Sequence, residues 1–125
     1  MGTNNGRPKQ KDIQARGFSF ACRIVNLYQF LAKKRGSAEI LGKQILRSGT
    51  SIGANLEEAA AGQSKADFVS KCNIALKESR ETYYWLRLLL KSGVIPADRL
   101  TDLLSESNEL VAILTTIVKK SRSAR

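Results

Sequence analysis

Histidine is missing from this 125-residue chain. Its absence removes the commonest general base near neutral pH and the commonest metal ligand. Cysteine is scarce, and Cys22 with Cys72 cannot make a zinc site without other ligands. Both fall on apolar helical stripes and read as small buried core residues. A disulfide between them has parity in its favour and a reducing compartment against it. No apolar run approaches the roughly 18 residues of a membrane span, and Met1–Lys11 lacks the apolar segment of a signal peptide. The expectation is a cytoplasmic protein without a membrane partner. Period-two alternation is lacking too, so no half-buried strand is expected.

The apolar residues that are present, 42% of the chain, are enough for one domain with a single core. They recur at helical spacing in four segments. The first, Asp12 to Lys34, aligns Ala21, Ile24, Tyr28 and Leu31, and ends in Lys33-Lys34-Arg35-Gly36. Ser37 is placed to cap the second, whose face carries Leu41, Ile45, Ser48, Ile52, Asn55 and Ala59. Ser64, three residues before Asp67, resembles a capping box opening the third. That segment aligns Phe68, Cys72, Ala75, Ser79, Thr82, Leu86 and Leu89, and stops at Ser92-Gly93. Pro96 fits the start of the fourth, with Leu100, Leu103, Ser107, Leu110, Leu114 and Ile117 in register. Four long helices with short connectors predict an all-α, antiparallel up-down-up-down four-helix bundle.

The net charge of +10 is concentrated at the ends. Residues 1–16 hold four basic and one acidic side chain, residues 119–125 hold four basic and none acidic, and the body between has 13 against 10. Residues 1–11 and 119–125 read as disordered basic tails around a bundle of residues 12–118. Such tails suit nucleic-acid phosphates or acidic partners, and also serve simply as solubilising ends.

Three surfaces lie outside the predicted core. Lys77, Arg80, Tyr84, Arg87 and Lys91 recur at three and four along the third helix, with no acidic residue among them. A basic row with one aromatic can track a phosphate backbone and stack a base, with Lys43 and Arg47 adding to the rim. The alternative is a solvated face whose long stems cover apolar neighbours. On the same helix Ile74, Glu78, Glu81, Trp85 and Leu88 form an apolar flank containing the only Trp. It reads either as a subunit interface or as a wide core stripe under the fourth helix. The second helix carries a polar seam, Arg47, Ser51, Asn55 and Glu58. A bundle-core amide can fix register or partner choice. As a ligand contact the seam is a weaker reading, and as a catalytic site it lacks a nucleophile–base pair. Di-iron bundles need Glu-x-x-His pairs that this chain does not have. No enzyme activity, metal or cofactor is therefore expected. Gly49 and Gly53 interrupt the same helix, each costing about 1 kcal/mol relative to alanine, which calls for close backbone approach or a local break.

Arg47, Ser51-Ile52, Asn55, Glu58, Ser64 and Asp67-Phe68 fit R-x-x-x-S-I-x-x-N-x-x-E followed by S-x-x-[DE]-F. This pattern, with Ile74 to Thr82 and Tyr84-Trp85-Leu86, resembles a bacterial four-helix-bundle family first noticed as proteins encoded in intervening sequences of 23S ribosomal RNA genes. The resemblance covers about Phe18 to Val118. The family is similar in fold to the accessory proteins of diversity-generating retroelements, ring-like homopentamers whose basic surface engages nucleic acid and a reverse transcriptase. The resemblance thus implies a non-catalytic homo-oligomer, a pentamer by that analogy, with RNA or DNA and a protein such as a reverse transcriptase as candidate partners. Many relatives carry Gly where this chain has Ala59, and alanine there favours an uninterrupted helix.

Overall fold

A computed structural model describes residues 9–123. Four helices follow one another: α1 (Lys9–Lys34), α2 (Gly36–Ala60), α3 (Lys65–Ser92) and α4 (Thr101–Ser123), with a 3-10 turn at Ala97–Arg99. Each helix packs on its neighbours in the chain, and α4 returns to α1, which closes the four-helix bundle. Residues 1–8 and 124–125, the outer parts of the two stretches read as tails, lie outside the described residues. Helix α1 begins inside the first of those stretches and α4 runs five residues into the second.

The helix boundaries follow from local chemistry. Ser64 caps α3 as expected, its hydroxyl oxygen accepting from the Asp67 N–H at 3.1 Å. Gly93 ends α3 in the left-handed region, at φ 70°. The α1–α2 corner differs from the expectation. Ser37 is not the cap: the turn is made by Arg35 and Gly36, at φ 61° and 62°, with no side-chain capping bond. Positive φ at both residues reverses the chain within a single linking residue, before Ser37 is reached.

The expected rows of α3 and α4 are buried at Cys72, Ala75, Ser79, Thr82, Leu86 and Leu89 and at Leu100, just before α4, Leu103, Ser107, Leu110, Leu114 and Ile117, while Phe68 is only half-buried. In α1 Ile24 and Leu31 are buried as expected, but the other two expected positions are replaced by the residue before each. Ala21 and Tyr28 are only half-buried, and the buried row is Ile13, Gly17, Phe20, Ile24, Leu27 and Leu31. Cys22, read as a core residue, is exposed: at about 100° per residue it lies about 160° round the helix from Ile24. Cys72 is buried as expected, and burial pushes its thiol up to about 11. Both thiols are free.

Helix α2 runs unbroken through Gly49 and Gly53, so the glycines serve close approach rather than a break. A Cβ on Gly53 would stand 3.1 Å from the Gly17 carbonyl oxygen of α1, and one on Gly17 would stand 3.3 Å from the Gly53 Cα. The two helices therefore cross backbone to backbone. Ala59 keeps the helix continuous to Ala60.

A layer of small hydroxyls interrupts the apolar core: Ser48, Ser79, Thr82 and Ser107 are all fully buried. The Thr82 hydroxyl donates to Ser48 Oγ at 2.8 Å, tying α3 to α2, and Ser79 donates to the Leu76 carbonyl at 2.8 Å. Among the described residues, Ser107 Oγ has no hydrogen-bond partner. A buried hydroxyl without a bond is a cost, so Ser107→Ala is expected to raise stability by about 1 kcal/mol, read as a higher urea midpoint at constant m-value.

Candidate nucleic-acid interface

Away from its buried row, helix α3 presents a basic row to solvent. At about 100° per residue, Lys77, Arg80, Tyr84, Arg87 and Lys91 fall within about 80° of one another, and the row is about 21 Å long. All five are exposed. Tyr84 is 50% exposed, and its ring meets that of Trp85 edge-on, with centroids 5.1 Å apart. The Arg87 guanidinium lies 5.0 Å from the Tyr83 ring centroid and 6.0 Å from that of Tyr84. It thus lies beside two aromatic rings, and Tyr84, Arg87, Leu88 and Lys91 line a shallow groove. Among the described residues, no carboxylate pairs with Lys77, Arg80, Arg87 or Lys91.

The neighbouring carboxylates are engaged on the other flank. Arg47 of α2 reaches across to α3, pairing with Glu81 and, at 3.4 Å, with Glu78. Glu81 also accepts the Trp85 indole N–H at 2.9 Å. One α2 cation thus faces two α3 carboxylates, leaving the cluster at −1, so it adds no free positive charge to a phosphate-binding rim. Lys43 is exposed on α2, but no bond or ion pair among the described residues joins it to the α3 row.

Of the polar seam, Arg47 alone ties α2 to α3 among the described residues. Asn55 is half-buried, and its amide donates within α2, to the Ser51 carbonyl at 2.9 Å and the Ser51 hydroxyl at 3.1 Å. Glu58 is exposed. In the core itself, Ser48 accepts the interhelical bond from Thr82. On the apolar flank Trp85 leans on the core, while Ile74 and Leu88 are 36% and 37% exposed.

One cluster was not anticipated. Arg16 of α1 grips Glu106 of α4 through two bonds of 3.0 and 2.7 Å, and bonds Glu109 at 2.7 Å. Those carboxylates, Glu106 first, hold the guanidinium still more firmly protonated than usual. The i, i+3 spacing of Glu106 and Glu109 is visible in the sequence. Their partner is not, because nothing local pairs α1 with α4.

The motif residues Arg47, Ser51, Asn55 and Glu58 thus share one edge of α2, with Arg47 tied to α3, and residues 9–116 match the 23S rRNA-intervening sequence protein family. The chain belongs to that family. A crystal structure of a protein of unknown function from the S23 ribosomal protein family, from Bacteroides thetaiotaomicron, is similar to it. That protein is 46% identical, the match covers 90% of this chain and 99% of the other, and the TM-score is 0.81. No curated protein matches the chain. Among the described residues of this family member, no helix is long and apolar enough to cross a membrane.

Proposed function

We propose that this member of the 23S rRNA-intervening sequence protein family is a non-catalytic, self-associating bundle that binds RNA or DNA along α3. The observation that carries the reading is the exposed row Lys77, Arg80, Arg87 and Lys91, free of carboxylate partners among the described residues, with Tyr84 in its midst. An unneutralised row of cations beside an accessible ring suits a single strand, whose phosphates take the charge while a base stacks. Four phosphate contacts predict a slope of log affinity against log salt of about −3 on single strands. Titrating the full chain with an RNA oligomer from low to physiological salt measures this slope. Binding that vanishes well below physiological salt would leave the charge a solubilising role only.

Self-association is the second part of the reading, and the half-exposed pair Ile74 and Leu88 supports it. Trp85 is a poor probe of that flank, because it also packs on the core and bonds Glu81. Ile74→Glu with Leu88→Glu is the cleaner test. The double variant is expected to keep its helical spectrum and lose native mass in light scattering. An unchanged mass would remove this flank from the assembly.

A further inference from the structure

A second group of cations lies on the seam between α1 and the start of α4, away from the α3 row. Arg23, Asn26, Leu27 and Phe30 of α1, with Arg99 and Leu103, line a pocket of about 230 Å³. Its floor is apolar, since Leu27 and Leu103 are buried. The Arg99 guanidinium sits 4.3 Å from the Phe30 ring centroid, and the Lys34 ammonium sits 5.4 Å from the same centroid. Arg23, Asn26, Lys34 and Arg99 are all exposed.

The acidic groups nearby do not occupy these cations. Glu106, the next turn of α4 beyond Leu103, is held in the fork of Arg16. Asp98 and Asp102 are exposed chain neighbours of Arg99, and among the described residues neither pairs with Arg23, Lys34 or Arg99.

These features specify a ligand chemistry. A guanidinium resting on an aromatic ring presents its other face as a planar stacking surface, and unpaired bases stack on such planes. Asn26 offers an amide donor and acceptor for a base edge. Arg23 or Lys34 supplies charge for an attached phosphate. The volume is below the roughly 300 Å³ at which sites for larger ligands begin, which favours one ring system.

We propose that this pocket receives a single unstacked nucleobase, stacked on the Arg99–Phe30 pair, with Asn26 at its edge and its phosphate at one end, on Arg23 or on Lys34, the cations that flank the pocket along α1. The proposal rests on the nucleic-acid reading of α3 and adds to it a site on a different face.

The test is NMR titration of the ¹⁵N-labelled full chain with adenosine 5′-monophosphate, with inorganic phosphate as the control, beside RNA binding by the same sample. The mononucleotide is expected to shift the amides of residues 23–30 and 99–103. Its affinity should exceed that of phosphate about tenfold and fall about tenfold in Arg99→Ala, the scale of one base–side-chain stack. Arg99 is exposed, so that variant should keep the remaining amide spectrum. Equal affinity for phosphate and mononucleotide, or an unchanged Arg99→Ala, would overturn the pocket. If RNA bound along α3 while the mononucleotide left the α1–α4 amides unmoved, the pocket would fall and the α3 reading would stand. A seated mononucleotide without RNA binding would do the reverse.

Discussion

Reversing two charges on α3, Arg80→Glu with Arg87→Glu, is expected to weaken RNA binding about a hundredfold at about 50 mM salt and to flatten the salt slope by about 1.4. Each lost phosphate contact on a single strand removes about 0.7 from that slope and about tenfold from the affinity at low salt. The fold should survive. Both side chains are exposed, and neither forms an ion pair among the described residues. What Arg87 gives up is its approach to the Tyr83 and Tyr84 rings, worth about 0.5–1 kcal/mol at an exposed site. The matching change at Arg47 should behave differently. Its charge is already engaged by Glu78 and Glu81, so Arg47→Gln should leave the slope within about 0.3 of the parent. Equal slopes for the parent and the doubly reversed chain would sink the α3 assignment.

The second large effect is on stability. Gly53→Leu is expected to cost about 3 kcal/mol, a large share of the roughly 5–15 kcal/mol by which a domain of this size is folded. The neighbour that a Gly53 side chain meets is backbone, the Gly17 carbonyl at 3.1 Å for oxygen and 3.2 Å for carbon, so no rotamer change can make room. Helix α1 would have to lift off α2, loosening Leu56 and Ile13 with it. The gain in helix propensity on leaving glycine, about 1 kcal/mol, is too small to compensate. Gly53→Ala isolates that balance. Its single carbon needs a shift of only a few tenths of an ångström, so the propensity gain and the strain should nearly cancel, within about 1 kcal/mol. Urea titration of both variants decides the matter. A leucine variant as stable as the parent would mean that the crossing is not close.

The two predictions draw on features that were unequally legible in the sequence. The α3 row could be read directly, because one helix carries every member and 100° per residue fixes their relation. The α3 and α4 cores were legible for the same reason, with leucines recurring cleanly at three and four. Helix α1 was not. Phe20 stands beside Ala21 and Leu27 beside Tyr28, which gives two apolar stripes one residue apart, and Gly17 carries no hydropathy to choose between them. Ile24 and Leu31 belong to both stripes, so they were placed correctly, while Cys22, about 160° round the helix from Ile24, belongs to neither.

Contacts between helices were legible only in outline. The spacing put Arg47 on one exposed edge and Glu78 with Glu81 on another, and only the packing of α2 on α3 brings them together. Arg16 with Glu106 and Glu109 is the same case at a separation of 90 residues or more. Side chains that meet across a bundle are set by which helices adjoin and at what level, and periodicity within one helix contains neither. The glycines of α2 fall between these cases. Their cost implied a close approach, but the partners, the Ile24 side chain at Gly49 and the Gly17 backbone at Gly53, emerged only from the crossing.

The assignment of α3 as the binding surface is tested most directly by ultraviolet crosslinking of the full chain to a uniformly labelled RNA oligomer, with the adduct mapped by mass spectrometry. Tyr84, half exposed amid the unpaired cations, is predicted to carry the principal adduct. A further adduct at Phe30 would mark the α1–α4 pocket. Adducts confined to residues 1–8 and 124–125, with none on α3, would contradict the account.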